Sequence, residues 1–581
     1  MALAVSESMK TQRLSILVLV GFVLITLNLF RMQVLKGAYY RSLSEKNRIR
    51  VIYLEAPRGR IFDRHGALLA TSRLSFNCSV FPREAKKRMD QSLNVIAAIL
   101  GADAEDLKRS VSKKKPGVFN TVVVAEDISQ SQALEIEERT DSLPGFMIET
   151  RPVREYPQAA AAAHLVGYLG PMTEEETEDL DAYGYRQSDW LGREGIEKSY
   201  EGYLRGFSGG LQIEIDNRGK FLRALGVKEP KEGKDIHLTV DAKLQSYVQE
   251  LLGPQRGAVV VMRIKDGGIL SLNSAPSFDS NLFSSKKGRK EVGKYLRGEG
   301  SPMVNRSVRG QYPAGSIFKI VTALAALGRG RTSGATSFDC AGFARIGGTL
   351  FHCWKEAGHG PQNLSEAFAH SCNVYFYNLG LAAGADAIFQ KAAAVGFHRL
   401  TGIDLPGEKP GFVPSRDWKR GAKHEGWFDG DTANLAIGQG YLQVTPIQAV
   451  MMITTAATEG RPVKPHVIDR IEAVKAADKS TNFTDIPAVH WRTVKQGLHE
   501  VVNSETGTGR LARLPDVRVA GKTGTAESGR EKTHAWFVGF APEEEPKIAM
   551  VVFLEHGGRG GVTAATLAGQ LFKWLKTADY L

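Results

Sequence analysis

The chain has 581 residues, of which 75 are basic and 63 acidic, and its formal net charge is +12. This length exceeds what one hydrophobic core serves, so we expect two or more domains, and a hydrophobic fraction of 43% indicates that most of the chain folds. The positive charge is spread along the chain without a zinc finger, P-loop or RNA-binding signature. The charge by itself suits an anionic membrane surface or polymer as readily as nucleic acid, and no motif supports a nucleic-acid partner.

An uncharged run near the N-terminus predicts a membrane segment. It extends from Leu14 to Phe30 and has basic residues on both sides. This is the short end of a spanning helix, whose core needs about 20 residues. A cleaved signal peptide is the alternative, but its apolar region is usually shorter, and no small-x-small cleavage site directly follows Phe30. We therefore favour an uncleaved signal anchor over residues 14–33.

Residues 34–235 have the composition of a separate soluble domain. Between residues 83 and 141 the sequence carries helical amphipathic patterns and many charges. The lysine block at residues 113–115 is typical of a solvated helix face. Nothing in this region points to catalytic chemistry.

A second domain begins near residue 235. Residues 236–240 alternate as a strand does, and Asp241 then predicts the N-cap of a helix that ends near Leu252. Residues 257–262 and 269–272 flank an Asp-Gly turn and are typical of an antiparallel hairpin.

The C-terminal end of this domain also predicts strands. Residues 535–540 and 548–554 have strand character, and residues 564–575 have the pattern of a helix. Strands at both ends with helices between them indicate an α+β domain. We expect one antiparallel sheet, built from both termini and covered by helices.

The centre of this domain contains a nucleophile motif. Residues 312–315 have the composition of a turn, and an apolar helical run follows and is closed by Gly328. Ser316 and Lys319 are three residues apart, so they lie on one face of the helix. A serine hydroxyl becomes a nucleophile when a neighbouring base takes its proton, and burial lowers the pKa of a lysine enough for that role. Taken alone, the pair is also consistent with a capping serine and a solvated lysine.

Two further segments favour the catalytic interpretation. Ser371-Cys-Asn373 follows a helical pattern, and Lys522-Thr-Gly-Thr525 follows a strand-like run. The elements S-x-x-K, Ser-x-Asn and K-T-G occur together, in this chain order, in penicillin-binding proteins and serine β-lactamases. The chain therefore resembles the penicillin-recognising serine acyltransferases, and among them the class B penicillin-binding proteins.

The resemblance covers nearly the whole chain. It includes Gly192 to Tyr200, the run IHLTVDAKLQ from Ile236 and the run HAWFVGFAP from His534. It implies a penicillin-binding transpeptidase fold over residues 236–581, an antiparallel sheet sandwiched by helices. Residues 34–235 would form an elongated, non-catalytic pedestal of the dimerisation type.

The resemblance also implies roles for two charged segments and an orientation for the chain. Residues 58–66 and 154–167 are similar to elements of the non-catalytic domain whose charges hold that domain together. Residues 1–13 would be a cytoplasmic tail and residues 14–33 a single span of the bacterial cytoplasmic, or inner, membrane. Everything after the span would lie outside, on the periplasmic side.

In this family the first two motifs perform the acyl transfer. The resemblance implies that Ser316 is the nucleophile and Lys319 the base for acylation, although the base is disputed for some members of the superfamily. Ser371 would relay a proton to the departing amine. Asn373 would hold the substrate amide and the lysine.

The third motif is implied to bind substrate. Lys522 would add positive charge near the substrate carboxylate, and Thr523 and Thr525 would donate hydrogen bonds to it. Gly524 would let the strand backbone approach the substrate. The family places the oxyanion hole at the backbone N–H groups of Ser316 and Thr525.

Three cysteines and a histidine near the second motif suggest a metal site. Cys340, Cys353, His359 and Cys372 are a tetrahedral zinc set, and four protein ligands would make the site structural. Asp339 is an alternative first ligand, and some elongation-type class B proteins are similar in carrying a metal here. A Cys340–Cys353 disulfide, which is permissible outside the cytoplasm, and three inert buried thiols are the competing interpretations.

The resemblance implies a D,D-transpeptidase that cross-links peptidoglycan stem peptides and is acylated by β-lactams. Residues 351–360 and 427–441 most resemble the members that act in cell elongation, whose partner is a polytopic membrane glycosyltransferase of the elongation complex, together with other cell-wall proteins. A septal, division-type protein is the runner-up. A β-lactamase, a carboxypeptidase and a β-lactam-binding receptor are the remaining alternatives. No organic cofactor is expected.

Overall fold

The structure is a computed structural model that describes residues 2–41, 49–113, 121–187, 189–215, 221–284, 288–475, 484–529 and 532–581. These residues form two compact units that alternate along the chain. The smaller unit comprises Met1–Pro57, Ser75–Pro152 and Gly206–Glu232. The larger unit comprises Arg58–Leu74, Val153–Arg205 and Gly233–Leu581, so it includes two segments that precede the predicted domain boundary at residue 236.

The smaller unit begins with an apolar helix. An α-helix extends over Ala2–Phe30 and continues as a π-helical turn over Arg31–Leu35. The stretch Leu14–Leu35 has 22 residues, and none of its most apolar part is buried inside the protein. By length and composition it is sufficient to cross a membrane, which is consistent with the single N-terminal span predicted from the sequence.

Two groups of paired strands complete the smaller unit, although residues 68–74 of one strand belong to the larger unit. The strands Ile49–Leu54, Gly209–Ile215 and Phe221–Lys228 form one sheet in that spatial order. The strand Leu68–Val80 pairs with Val122–Ile128 and with Phe146–Glu155. Cys78 is buried in the core beside these strands. The helices of this unit after the N-terminal helix are Pro82–Ala85, Met89–Leu100, Ala104–Lys113 and Gln130–Glu138, with a 3-10 turn at Thr140–Ser142.

Charged side chains from three segments meet inside the larger unit. Arg154 donates a hydrogen bond to one carboxylate oxygen of Glu197 at 2.6 Å, and Arg58 donates to the other at 3.1 Å. Arg58 also forms a bidentate pair with Glu201. The Glu197 side chain is 0% exposed and that of Arg154 is 1% exposed. The charges of these segments therefore act structurally, as expected, but they do so inside the larger unit rather than in a separate non-catalytic domain.

The larger unit contains a five-stranded antiparallel sheet. Its strands are Gly257–Arg263 (β1), Ile269–Ala275 (β2), Ala520–Ala526 (β3), His534–Ala541 (β4) and Ile548–Leu554 (β5). Their order across the sheet is β2-β1-β5-β4-β3, so β3 is an edge strand. The hairpin β1–β2 pairs directly with the C-terminal strand β5. The prediction of one antiparallel sheet built from both ends of the domain is confirmed.

Shorter strands complete the larger unit. Ile61–Phe62 pairs in parallel with Ile236–Leu238, which pairs antiparallel with Ile468–Ile471. The other short strands are Leu169–Pro171, Trp190–Gly192, Phe338–Cys340, Phe343–Ile346, Thr349–His352, Gly360–Gln362 and Val474–Lys475.

Helices cover both faces of the five-stranded sheet. The indole of Trp536 in β4 donates a hydrogen bond to Pro313 O, whereas the next residue, Phe537, packs on Phe572 of the C-terminal helix. Successive strand side chains point to opposite faces, so the C-terminal helix and the segment before Ser316 lie on opposite sides of the sheet.

The helices of the larger unit vary from one to four turns. They are Ala163–Val166, Glu174–Leu180, Gly195–Ser199, Glu201–Leu204, Ala242–Leu252 (α1), Asn281–Ser284, Arg289–Leu296, Lys319–Gly328 (α2), Leu364–Ala369 (α3), Asn373–Ala383 (α4), Ala385–Ala394, Arg416–Lys423, Asp429–Ala436, Pro446–Ala457 (α5), Ala488–Asn503 (α6) and Thr563–Thr577 (α7). The Asp241 side chain accepts from the backbone N–H groups of Lys243 and Leu244, which confirms it as the N-cap of α1.

Candidate active site

Ser316 lies in a tight turn against the edge strand. A 3-10 helix, Gly315–Phe318, precedes α2, so the predicted helix start near Ser316 is confirmed. Gly315 has φ +54°, and its N–H donates to Gly438 O at 2.9 Å. A Cβ atom there would lie 2.7 Å from Thr525 O. Glycine therefore allows the turn to touch β3, which brings Ser316 beside Thr525.

The Lys319 ammonium group bonds to the second motif. It is fully buried and donates to Ser371 O at 2.9 Å, to Ser371 Oγ at 3.3 Å and to Asn373 Oδ1 at 2.8 Å. Burial lowers the pKa of Lys319 to about 8, although the thiols of Cys372 and Cys353 act in the opposite direction. A substantial fraction of this amine is therefore neutral near physiological pH.

The Ser371 hydroxyl lies between two lysines. Ser371 has φ +51° in the connection between α3 and α4, a conformation that few residues with a side chain adopt. Its Oγ accepts hydrogen bonds from Lys319 Nζ and, at 2.9 Å, from Lys522 Nζ. Lys522 is also fully buried, and this burial and the charge of Lys319 hold its pKa well below the ordinary value. The three motifs thus meet at one hydroxyl group.

The edge strand β3 presents the remaining residues of the third motif. Thr523 is 5% exposed, and its hydroxyl donates to Thr508 Oγ1 at 2.9 Å. Thr525 is exposed, and its Oγ1 accepts from Gly560 N at 3.1 Å. Gly524 also has a packing role. A Cβ atom there would lie 3.1 Å from Ile317 Cγ2, so glycine lets the strand approach the Ser316 segment.

Four potential metal ligands lie together beside the second motif. The ligand atoms of Cys340, Cys353, His359 and Cys372 are all within 4.8 Å of one another. His359 Nδ1 is 3.6 Å from the Cys340 sulfur and 3.5 Å from the Cys353 sulfur. Zinc-ligand bond lengths imply an edge of about 3.6 Å between sulfur and nitrogen in a tetrahedral site. These two separations therefore fit the donor set of a zinc ion.

The cluster resolves two alternatives from the sequence. Asp339 is exposed and lies outside the cluster, so its assignment as a first ligand is wrong. Cys340, the next residue in the strand, points its sulfur to the opposite side and into the cluster. All four cysteines are free thiols in the structure, so a Cys340–Cys353 disulfide is not formed.

Cys372 connects the cluster to the catalytic motif. It stands between Ser371 and Asn373 and is the N-cap of α4, where its sulfur accepts from Tyr375 N at 3.5 Å. On the other side, His359 N donates to Cys340 O at 2.9 Å, which holds the predicted Gly-His-Gly loop against its strand. Any ligand that fixes Cys372 therefore also fixes the start of α4.

Comparison with known proteins identifies the family. The model of the penicillin binding protein transpeptidase domain matches residues 257–573, which is more than half of the chain. The model of the penicillin-binding protein dimerisation domain matches residues 53–238. The chain belongs to the penicillin-binding protein transpeptidase family.

Relatives of this penicillin-binding protein match it over nearly its whole length. It is 34% identical over 563 residues to the peptidoglycan D,D-transpeptidase MrdA of Acinetobacter baumannii, covering 93% of this chain and 83% of that protein. It is 29% identical over 607 residues to MrdA of Escherichia coli K12, covering 99% and 95%.

Solved structures of related proteins are also similar to this chain over most of its length. The penicillin-binding protein PBP2 of Helicobacter pylori, in its complex with MreC, has a TM-score of 0.81 at 28% identity and covers 92% of this chain and 99% of that chain. PBP2 of Pseudomonas aeruginosa in complex with WCK 5153 has a TM-score of 0.70 at 29% identity and covers 90% and 97%. The predicted fold, a transpeptidase domain with a pedestal and an N-terminal apolar helix, is confirmed.

The penicillin-binding protein contains supporting residues that the sequence interpretation missed. His370 Nδ1 lies 2.6 Å from Gln362 Oε1, and its Nε2 lies 2.9 Å from Thr506 Oγ1. The His370 ring also stacks on that of His359, at a centroid distance of 5.5 Å and an interplanar angle of 5°. The Trp354 indole donates to His370 O at 2.9 Å. These contacts fix the peptide immediately before Ser371.

A loop after α6 joins the second and third motifs. Thr508 N donates to Ala369 O at 3.0 Å, and its hydroxyl accepts from Thr523. Thr506 in the same loop contacts His370. The sequence Glu-Thr-Gly-Thr-Gly at residues 505–509 is the signal that could have drawn attention to this loop, because it repeats the Thr-Gly-Thr of the third motif.

Proposed function

We propose that this protein is a peptidoglycan D,D-transpeptidase that cross-links stem peptides through a serine acyl-enzyme during cell elongation. One observation carries this proposal: Lys319 and Lys522 both donate hydrogen bonds to Ser371 Oγ. Lys319 lies one helical turn after Ser316. The relatives named MrdA support the elongation type over the septal type.

Acylation begins with proton transfer from Ser316 Oγ to the neutral amine of Lys319. With a pKa of about 8, about a tenth of this amine is neutral at pH 7, roughly 300-fold more than for an ordinary lysine. Ser316 Oγ forms a bond to the carbonyl carbon of the penultimate D-alanine of the donor stem. Backbone N–H groups of Ser316 and Thr525 stabilise the oxyanion.

The second motif completes the step. Ser371 Oγ, which touches both lysines, transfers a proton to the nitrogen of the terminal D-alanine as its C–N bond breaks. Asn373 holds Lys319 and the substrate amide. An amine of a second stem peptide then attacks the ester, forms the new peptide bond and releases Ser316. A β-lactam acylates the same serine when its ring C–N bond breaks, and the acceptor amine does not cleave the resulting ester.

The third motif positions the donor along β3. Thr523 and Thr525 bind the terminal carboxylate of the substrate, and Thr525 is exposed at this edge. The Lys522 ammonium group is buried and does not project into solvent. It contacts the site through its hydrogen bond to Ser371 Oγ. The open edge of β3 also suits an extended peptide that adds as a further strand.

A structural zinc ion would occupy the sulfur cluster. Cys340, Cys353 and Cys372 would supply thiolates and His359 would supply Nδ1, in agreement with the two sulfur-nitrogen separations near 3.6 Å. Four protein ligands leave no open position, so the ion would hold the loop and the start of α4 without touching substrate. Cys372 conveys that support to Ser371 and Asn373 on either side.

The membrane and the cell-wall machinery are the proposed partners. The apolar helix over Leu14–Leu35 supports a single-pass membrane anchor. The proposed orientation, with the catalytic unit on the periplasmic side of the bacterial inner membrane, rests on the family resemblance. Structures of similar proteins include one in complex with MreC and a peptidoglycan synthase complex. A polytopic glycosyltransferase of the elongation complex is the partner proposed here.

The decisive test is the site of acylation. Intact mass of the full chain in detergent, with and without benzylpenicillin, followed by peptide mapping, should place one adduct on Ser316. Ser316→Ala should abolish the adduct and the cross-linked product made from stem peptides. Cross-linking that survives Ser316→Ala would refute the acyl-enzyme.

Two further observations separate the alternatives. Release of D-alanine without cross-linked product would indicate a carboxypeptidase. Cells that become spherical when the protein is depleted indicate a role in elongation, whereas filaments indicate a role in division.

A further inference from the structure

A large cavity lies in the larger unit, away from the three motifs. Its volume is about 1330 Å³. The turn between β1 and β2, the turn between β4 and β5, one side of α1 and the C-terminal end of α7 surround it, together with residues 63–67. Among the described residues that line it, none belongs to the catalytic motifs or to the sulfur cluster.

The cavity is not an extension of the catalytic cleft. Thr525 pairs with Ala535 at the start of β4, whereas the turn that lines the cavity follows Ala541 at its end. Six residues of strand separate these positions by about 20 Å. The cavity wall from α7 also lies on the opposite face of the sheet, as the alternation of Trp536 and Phe537 shows.

Three aromatic rings form one wall of the cavity. Tyr247 and Trp574 have ring centroids 5.5 Å apart at 18°, and Trp574 and Tyr580 have centroids 6.4 Å apart at 25°. Rings in full face-to-face contact would be closer, so each ring is displaced and leaves part of its face uncovered. The three half-buried rings therefore form a nearly parallel row with open apolar faces.

Satisfied polar groups hold this wall in place. The Tyr580 hydroxyl donates to Asp241 Oδ2 at 2.5 Å, while the other oxygen of Asp241 caps α1. The Arg64 guanidinium lies 5.5 Å from the centroid of the Tyr580 ring. Asp63 accepts from three backbone N–H groups, including that of Ala242. The wall is therefore preorganised and does not depend on a ligand.

The rim carries free charges of both signs. Six exposed side chains line the cavity without a hydrogen bond or ion pair anywhere in the described chain. They are Lys243, Lys265, Lys547, Glu250, Glu545 and Asp579. Three cations and three anions leave the rim close to neutral, which disfavours a polyanion such as nucleic acid or a lipid headgroup surface. It favours a ligand with many neutral polar groups and isolated charges of each sign.

We propose that this cavity is a second binding site for the peptidoglycan strand, a proposal that rests on the proposed function. Amino-sugar rings present apolar C–H faces that pack on the row Tyr247, Trp574 and Tyr580. Carboxylates of the attached stem peptide pair with the rim lysines, and its free amine pairs with the rim carboxylates. A second binding site for the same polymer raises the effective concentration of stem peptides at the catalytic cleft.

The test uses the full chain in detergent after its Ser316 has been acylated with benzylpenicillin, so that the catalytic cleft is blocked. The probe is an uncross-linked tetrasaccharide of peptidoglycan that carries its stem peptides, with the peptide-free amino-sugar oligomer and the free stem peptide as separate arms. We expect the acylated protein to bind the intact fragment by titration calorimetry, and Tyr247→Ala to weaken this binding at least tenfold. Tyr247→Phe should retain it.

Controls separate this site from the catalytic one. Tyr183→Ala removes an equally large ring that is 74% exposed elsewhere in the same unit and should leave binding unchanged. Tyr247→Ala should keep the penicillin acylation rate, which shows that it folds. The proposal is overturned if the acylated wild-type protein does not bind the intact fragment, or if Tyr247→Ala binds it equally well. It is also overturned if the free stem peptide is the only one of the three probes that binds. Acylation at Ser316 itself tests the proposed function independently.

Discussion

At the scale of single residues, the position of Lys319 determines what the site does. Its ammonium group is fully buried and has Ser371 and Asn373 as hydrogen-bond acceptors. Burial destabilises the charged form, and no carboxylate bonds to the group to offset that effect among the described contacts. The result is a lysine that is protonated often enough to be held in place and neutral often enough to accept a proton.

Acylation should therefore depend on pH through Lys319. Its pKa of about 8 predicts that the second-order rate of benzylpenicillin acylation rises from pH 6 and levels off above about pH 8. Lys319→Arg, which stays protonated, should lose on the order of 1000-fold at pH 7 and should not recover at higher pH. Stopped-flow acylation measures both. A rate that is flat between pH 6 and 9 would exclude Lys319 as the base.

His370 should act as a positioning residue for Ser371. His370→Phe keeps a ring against His359 but removes the hydrogen bonds to Gln362 and Thr506, so we expect the acylation rate constant to fall about tenfold with little change in penicillin affinity. Saturation kinetics separate the two quantities. His370→Gln retains polar atoms and should recover part of the rate. Thr506→Val, which removes only one partner, should have a smaller effect. Equal loss in affinity would indicate a general structural role instead.

At the scale of elements, two glycines allow the nucleophile turn and the edge strand to touch. Gly315 approaches Thr525 O, and Gly524 approaches Ile317 on the other segment. Each contact would be occupied by a Cβ atom in any other residue. The distance between Ser316 and the backbone N–H of Thr525, the proposed oxyanion donor of β3, is therefore set by backbone packing.

Gly315→Ala should disturb this contact. The residue has φ +54°, and its Cβ atom would lie 2.7 Å from Thr525 O, so we expect the free energy of unfolding to fall by about 1–3 kcal/mol and acylation to slow about 100-fold. Gly328→Ala is the matched control, because its Cβ atom would make only an ordinary contact, 3.4 Å from Lys391 Cε. Urea titration and acylation kinetics report the two effects. An unimpaired Gly315→Ala variant would contradict the role of this turn.

The sulfur cluster is the second element-scale feature, since it connects a loop to the start of α4. The purified full chain should contain about one zinc per chain, and a chelator should lower its melting temperature and its acylation rate together. Cys340→Ser should lower the zinc content, whereas Cys78→Ala, which alters a buried thiol in the other unit, should retain the ion. Elemental analysis measures the content. Zinc-free protein that was never exposed to chelator and acylates at full rate would exclude the site.

At the scale of the whole molecule, segments distant in sequence form one larger unit. Residues 58–74 and 153–205 pack with the C-terminal part of the chain. Buried charges take part in this arrangement, because Arg58 and Arg154 both bond to Glu197. Burial raises the pKa of Glu197, but Arg154 and Arg58 lower it more, so the net pKa is below the ordinary value.

Glu197→Gln should therefore be strongly destabilising. It leaves the buried Arg154 guanidinium without a carboxylate partner and Arg58 with Glu201 alone, so we expect a loss of about 3–5 kcal/mol in the free energy of unfolding. Because folding lowers the Glu197 pKa, its contribution is present above the unfolded pKa and is lost as pH falls through the folded one. Denaturant titration at several pH values measures both. Glu176→Gln breaks the more exposed pair with Arg193 and should cost under about 1 kcal/mol. Equal losses would contradict this account.

The sequence by itself determined the chemistry and much of the architecture. Residue spacing placed Ser316 and Lys319 on one helical turn, hydrophobic patterning identified β1, β2, β4, β5 and α7, and the apolar run near the N-terminus predicted one span. These features are local, because helix and strand periodicity and motif spacing are properties of adjacent residues.

Only the tertiary structure decided which distant groups meet. It placed Ser371 Oγ between Lys319 and Lys522, included Cys340 rather than Asp339 in the sulfur cluster, and gave Gly524 a packing role. It also brought Thr506 and Thr508 to the second and third motifs, and it gave His370 hydrogen-bond partners from two other segments. The physical reason is that burial, pKa and hydrogen bonding depend on neighbours in space, and those neighbours come from segments up to two hundred residues apart.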